Sequence, residues 1–281
     1  MTLSSEMALP ALFVLGAVAG SFLNVVIHRL PIMIDRGWPD NGIGEVRGPA
    51  PGGRYDLIYP PSACPHCGRR LGLSENIPLL GFLLLKGRCS TCEKPISWRY
   101  PLVEAAAAAL AVFLGWRLGL GWQLPLAIVF AYALLSAAVI DLDRMLIPDA
   151  IVLPLLWLGL LANTFALFAP APAAILGAAV GYAVPWAIAW TGGRLLRREV
   201  MGHGDMKLMA ALGAWLGWQQ VAIVLFVASV LGTGYGAARA LRGRQRAGKP
   251  VPFGPFLAAA GFISLVWGEA LLDTYWAFSG F

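Results

Sequence analysis

Apolar residues gather into eight runs along the chain, at 8–27, 102–119, 123–140, 150–169, 173–193, 208–218, 220–238 and 254–277. Runs of this kind predict α-helices, and a helix needs about 20 residues to cross the hydrocarbon core of a bilayer. The sixth run, 208–218, is too short for that. It is expected to dip in and turn, to tilt within a bundle or to line a watery cavity, where protein or water satisfies its backbone. The first run is too long for the apolar part of a secretory leader, has no basic residue before it and is followed by Arg29. It reads as a retained span with its N-terminus outside.

One long interval breaks the pattern. Residues 28–100 are rich in Gly, Pro and charge, and predict a small loop-rich module that needs a staple to hold it. The expected organisation is therefore a first span (1–27), this module (28–100) and a seven-helix membrane domain (101–281). A short apolar stretch inside the module, Ile77 to Leu85, is expected to pack on the module or to lie at a membrane interface.

Composition strengthens the membrane reading. The chain is 58% hydrophobic and 13% charged over 281 residues, with a mean hydropathy of +0.70. A soluble domain carries about 25% charged residues, so too little polar surface exists here to cover a soluble fold. The prediction is an all-α polytopic membrane protein with about eight transmembrane helices. The net charge of +6 then reports orientation. With the N-terminus outside, 20 of the 21 Lys and Arg residues fall on one face and only Arg117 on the other. That face is expected to be cytoplasmic. The basic run at 239–249 reads as a flank that attracts anionic lipid, and nucleic acid is not an expected partner.

All four cysteines lie in the module, as Cys64-x-x-Cys67 and Cys89-x-x-Cys92 with 21 residues between the pairs. Four thiolates at this spacing close a tetrahedral zinc site from two knuckles. Disulfide or redox chemistry is the less favoured reading in a reducing compartment. A closed four-sulfur site has no open position for substrate, so the metal is expected to be structural. His66 is expected at the surface.

The acids cluster at helix ends. Residues 137–149 read AAVIDLDRMLIPD and residues 201–217 read MGHGDMKLMAALGAWLG. Asp149 follows Pro148 and suits the first turn of a helix, where the dipole favours an anion. Asp143 is expected to pair with Arg144 or a neighbouring base, or to face water. Asp141 lies nearest an apolar span, where an ionised carboxylate is costly. Asp205, behind Gly202, His203 and Gly204, reads by itself as a cap for residues 206–208. Together Asp141 and Asp205 carry a different expectation. Two acids on separate helices at the same face and similar depth can share one proton. One then activates water while the other donates to a peptide carbonyl and later to the leaving amine. Gly202 and Gly204 would let a substrate backbone approach. His203 is expected to be a solvated loop residue. No Ser lies near a His and an acid to offer a rival nucleophile.

These residues carry a resemblance. GSFLNVVIHRLP at 20–31, the cysteine tetrad, ENIPLLGFLLLKGRCSTC at 75–92, IDLDRMLIPD at 140–149, GHGDMKLMAALGAWLG at 202–217 and PFGPFL at 252–257 together resemble the type IV prepilin peptidases, over nearly the whole chain and in the same order. The resemblance implies a bacterial inner-membrane enzyme with eight spans and a cytoplasmic zinc-bearing loop. It implies removal of a short basic leader from prepilins and pseudopilins of type IV pilus and type II secretion systems. The cut falls after a glycine at the cytoplasmic face. Methylation of the new N-terminal residue from S-adenosylmethionine follows, with the methyltransferase associated with the tetrad-bearing loop. It assigns Asp141 and Asp205 as the catalytic pair, with Gly202, Gly204, Asp143 and Asp149 supporting. No soluble-type S-adenosylmethionine fingerprint appears in the chain, so methyl transfer rests on resemblance alone. Two rival readings are a related membrane signal-peptide protease without methyl transfer and a proton-coupled transporter. A non-enzymatic assembly scaffold with a recruiting zinc module is a third. A transporter would carry its acids near the midplane of symmetric halves, which the sequence does not show.

Overall fold

The computed structural model describes residues 3–37, 55–72, 74–197, 201–242 and 251–279, with side chains described for all of these except 3–7, 37 and 278–279. Arg244, Arg246 and Lys249 of the basic run lie outside the described residues. Nine α-helices appear among them: α1 (Leu3–Gly37), α2 (Leu80–Leu84), α3 (Arg99–Leu118), α4 (Gln123–Arg144), α5 (Asp149–Asn163), α6 (Ala171–Leu196), α7 (His203–Leu216), α8 (Trp218–Leu241) and α9 (Gly254–Ser279). Every apolar run of the sequence falls on one of them, and α2 is the short stretch inside the module. Six helices (α1, α3, α4, α6, α8 and α9) are long and apolar enough to cross a membrane. The other two, α5 and α7, are 15 and 14 residues long, about 22 Å and 21 Å at 1.5 Å per residue. The chain divides into two compact units, Met1–Ile128 and Val129–Phe281.

In the first unit α1 packs on α3 through small residues. A Cβ on Gly16 would stand 2.7 Å from the Ala108 backbone, and one on Gly20 would stand 2.6 Å from that of Glu104. Close backbone approach of this kind is how membrane helices associate without a hydrophobic drive between them. Helix α1 continues ten residues past the apolar run, through Pro31 to Gly37. The reason is long-range. Arg29 is buried, and its guanidinium donates to the carbonyl oxygens of Asp56 and Pro60. The first basic residue after the apolar run therefore ties the helix to the loop module.

The second unit is built around α7. Among residues Met206–Leu216 only Lys207 is not buried. The expectation of a short helix set within the bundle holds, and small residues again explain the packing. A Cβ on Gly213 would meet the Gly177 carbonyl of α6 at 2.0 Å, and one on Gly181 would meet the Met209 carbonyl at 2.5 Å. Trp215, fully buried, donates its indole N–H to the Leu155 carbonyl at 2.8 Å. Its ring lies 4.8 Å from that of Phe130 and 5.1 Å from that of Phe168.

Helix α5 stops at Asn163, six residues before the apolar run ends at 169. Asn163 is completely buried and uses its whole hydrogen-bonding capacity. It donates to the carbonyls of Ala214 and Trp215 at 2.9 and 3.0 Å, and accepts from the N–H groups of Phe168 and Ala169 at 3.0 Å each. The chain turns here through Ala166 at φ 51°. One side chain thus ends α5, orders the turn and closes the C-terminal end of α7.

Candidate functional site: two acids at converging helix ends

Asp141 lies on the last turn of α4 and is 5% exposed. The helix closes just beyond it, where the Met145 N–H returns to the Asp141 carbonyl at 2.9 Å and Met145 adopts φ 52°. Ile147 and Pro148, both buried, lead into α5. Asp205 lies on the first turn of α7, half-buried.

The capping role expected for Asp205 is corrected. Gly202 is the N-cap of α7, in extended conformation with φ −72° and ψ 149° and with no side-chain cap. Asp205 is the third helical residue, and its N–H donates to the Gly202 carbonyl at 3.2 Å. Its carboxylate therefore benefits from the dipole at the helix N-terminus without ending the helix.

Three helix ends meet at Ile147. A Cβ on Gly204 would stand 2.9 Å from the Ile147 Cβ. A Cβ on Gly254, the first residue of α9, would stand 3.0 Å from the Ile147 Cδ1 and 2.7 Å from the Asp141 Oδ2. Gly254 instead donates its N–H to that oxygen at 2.9 Å, in a buried hydrogen bond. Both glycines are needed so that α7 and α9 can begin against the α4–α5 corner. Asp205 lies outside the six spanning helices. Its carboxyl is pushed up to about 6, chiefly by burial, next by the negative charge of Asp141, and against the pull of the Gly202 backbone. The two acids therefore feel each other.

A Cβ on Gly202 would stand 3.4 Å from the Asp205 Oδ2, and Gly204 and the Asp141 partner Gly254 both pack on Ile147. Asp149 opens α5 as expected, but its exposed carboxylate accepts from the Lys207 ammonium at 2.7 and 2.8 Å. Asp143 and His203 are exposed. Sequence reasoning found no role for Gly254 or Ile147. The only signal was PFGPFL, whose glycine lies 113 residues from the acid it contacts.

In the first unit the four cysteine sulfurs lie within 4.8 Å of one another. The Cys64–Cys92 and Cys67–Cys89 separations are 3.8 and 4.0 Å. Zinc–sulfur bonds of about 2.3 Å in a tetrahedron put the sulfurs about 3.8 Å apart, so the cluster fits one metal ion. Each pair sits in the same backbone turn. The Cys64 N–H donates to the Arg69 carbonyl and the Cys89 N–H to the Lys94 carbonyl. The bridges Ala63–Arg70 and Arg88–Pro95 flank them at matching positions. Gly68 at φ 70° and Glu93 at φ 56° occupy the same left-handed position. The module thus contains a structural repeat that the residue types conceal. Glu75 links its halves. It accepts from the Ser90 hydroxyl at 2.6 Å and the Gly72 N–H at 2.8 Å, and pairs with Arg69. These three partners, in the order Ser90, Gly72, Arg69, hold its carboxyl down to about 2.

The fold and site define a class: an all-helical membrane protein with two interacting acids at helix ends and a four-cysteine module. The chain belongs to the prepilin leader peptidase/N-methyltransferase family. The model of the bacterial peptidase A24 N-terminal domain matches residues 14–118, and that of the type IV leader peptidase family matches residues 128–237. The chain is 44% identical over 268 residues to the prepilin leader peptidase/N-methyltransferase of Stutzerimonas stutzeri, covering 95% of this chain and 93% of that one. It is 44% identical over 270 residues to the protein of the same name from Pseudomonas aeruginosa, with the same coverage. With that of Aeromonas hydrophila it shares 45% over 273 residues, covering 94% and 92%. No solved structure gives a significant match.

Proposed function

We propose that this protein removes the basic leader of prepilins and pseudopilins by hydrolysis after a glycine, using Asp141 and Asp205, and then methylates the new N-terminal amine. The observation that carries the peptidase reading is the meeting of the two acids where α4, α7 and α9 converge. Asp141 is assigned the base: the Gly254 N–H donates to its Oδ2 and orients the carboxyl. Asp205 holds the shared proton. Asp141 takes a proton from water as the water oxygen bonds to the peptide carbonyl carbon, while Asp205 protonates the carbonyl oxygen. Collapse then breaks the C–N bond: the proton held by Asp141 goes to the leaving amine, and one hydroxyl of the tetrahedral intermediate returns its proton to Asp205 as the new carbonyl forms. The products are the leader carboxylate and a free α-amine. Gly202, exposed beside Asp205, leaves room for the substrate backbone, whereas Gly204 is packed against Ile147.

The released amine is the acceptor for a methyl group from S-adenosylmethionine, and this activity belongs with the 28–100 module. Cys64, Cys67, Cys89 and Cys92 hold a structural zinc ion there, and residues 101–281 form the peptidase domain. The protein works in the bacterial inner membrane, with module and acids on the cytoplasmic side. The basic flanks support this orientation.

The test is incubation of the purified protein with a prepilin peptide spanning the Gly–Phe junction, with and without S-adenosylmethionine. Mass analysis reports a new N-terminus and a gain of about 14 Da, one methylene. Asp141→Asn and Asp205→Asn each abolish cleavage while leaving the protein folded. Normal leader removal by Asp205→Asn sinks the assignment.

A further inference from the structure

The four-cysteine module carries an apolar surface of its own, on α2. One side of this helix is packed inward. Gly81 is buried, and a Cβ there would collide with the Glu75 carbonyl. The Phe82 ring lies 4.8 Å from that of Trp98, the residue before α3, and a Cβ on Gly87 would touch it at 3.0 Å. The other side is open. Ile77, Leu80, Leu83 and Leu84 are between 44% and 72% exposed. Leu80, Leu83 and Leu84 are three and four residues apart and share one face of the helix. Single exposed apolar residues are ordinary, but a contiguous group of this kind marks a surface that something covers.

Depth decides what covers it. The Leu79 N–H, just before α2, donates to the Glu104 Oε2 at 2.8 Å. Glu104 is buried and stands five residues past Arg99, the first residue of α3, about 7.5 Å along the axis. Helix α3 has 20 residues, and about 20 are needed to cross the hydrocarbon core. A segment bonded to Glu104 is therefore level with the bilayer and not with bulk water. The outer face of α3 leads to the same place. Trp98, Leu102, Ala105, Ala109 and Trp116 are exposed at the spacing of one helix face, and the first of them is the residue on which Phe82 packs. The chain enters and leaves α2 through left-handed residues, Leu79 at φ 60° and Lys86 at φ 50°, so α2 is a short excursion that turns back. Lys86 and Arg88 beyond it and Arg99 at the start of α3 are exposed, and basic groups beside a span suit headgroup phosphates.

We propose that α2 inserts its leucines at the boundary between lipid headgroups and acyl chains, and so seats the four-cysteine module on the bilayer surface. The inference rests on α3 crossing the bilayer and not on the peptidase chemistry. Interfacial helices bury an apolar face about 5–10 Å deep, which is the depth that the Glu104 contact sets. The module is then held to the membrane at three points, the ends of α1 and α3 and the leucines of α2.

The experiment uses the unaltered full-length protein in nanodiscs that contain a phospholipid with a diazirine in its acyl chain. After illumination and digestion, mass analysis maps the labelled residues. Residues 77–85 take label within about threefold of that on 102–116, the exposed stripe of α3, and at least about tenfold more than the exposed knuckle residues 65–70, since only the first two reach the acyl region. The double variant Leu83→Glu, Leu84→Glu lowers the label on 77–85 at least about fivefold, because a charge is costly there, and leaves that on 102–116 unchanged. The inference is overturned if 77–85 carries no more label than 65–70 while 102–116 is labelled, the result expected if a second copy of the chain or another protein covers α2. It is also overturned if the double variant keeps its label on 77–85. Absence of label from both 77–85 and 102–116 overturns the reading of α3 as a span, and the seating of α2 with it.

Discussion

The backbone N–H of Gly254 donates to the Asp141 Oδ2 at 2.9 Å across 113 residues of chain. A Cβ on Gly254 would lie 2.7 Å from that same oxygen, so no side chain fits unless the acid moves. Gly254→Ala should therefore lower leader cleavage by about 100-fold, as a displacement near 1 Å does to an oriented site. Thermal unfolding should shift much less than activity. Retention of full cleavage would show that this contact does not position Asp141.

The pH profile should have an alkaline limb. A carboxyl raised to about 6 is protonated below that value and ionised above it. The proposed mechanism uses the proton on Asp205, so kcat/KM should fall as pH rises through about 6, approaching tenfold per unit beyond it. Stability moves the same way. The contribution of Asp205 is present in full below its unfolded pKa near 3.9 and is lost as pH rises through the folded value. Peptide cleavage followed between pH 5 and 9 checks the first statement. Asp141→Asn removes the neighbouring charge and should shift the Asp205 titration downward.

Asn163→Ala should be among the most damaging substitutions outside the acid pair. It leaves two carbonyls and two N–H groups without their partner in a fully buried place. Each orphaned buried group costs about 1–3 kcal/mol, so a loss of at least about 3 kcal/mol is expected. Thermal unfolding in detergent reads it directly.

The metal reading predicts one zinc per chain by elemental analysis, falling in Cys64→Ser or Cys92→Ser. Glu75→Ala should leave the stoichiometry unchanged but speed loss of the metal to a chelator, because Glu75 ties Arg69 and Gly72 to Ser90 across the two knuckles. A carboxyl held near 2 contributes its stabilisation above the unfolded pKa and loses it as pH falls toward 2. The Glu75 effect should accordingly be largest near neutral pH.

The helices were legible because a membrane span is a continuous apolar run, and the eight runs each contain a helix. Their ends were less legible. The apolar residues after Asn163 carried the run past a turn, although a lone Asn within it was a visible signal. Helix α1 was cut short because Arg29 looks like a solvent residue until its partners, Asp56 and Pro60, are known. The acids could be paired from their place at one face, but Gly254 could not be joined to them, since nothing local marks a contact over 113 residues. The knuckle repeat was hidden because Gly68 has Glu93 as its counterpart. The two share a backbone conformation and not a residue type.

Helix α7 is held at both ends. Asn163 binds its last carbonyls, and Asp205 stands on its first turn, 14 residues of helix in all. Inserting or deleting one residue between 206 and 214 would swing the acid by about 100° around the axis and move it about 1.5 Å along it. Side chains along this helix can be exchanged for others of similar volume, but its length fixes where Asp205 stands relative to Asn163. Length changes should survive instead in exposed connections, such as residues 119–122 between α3 and α4.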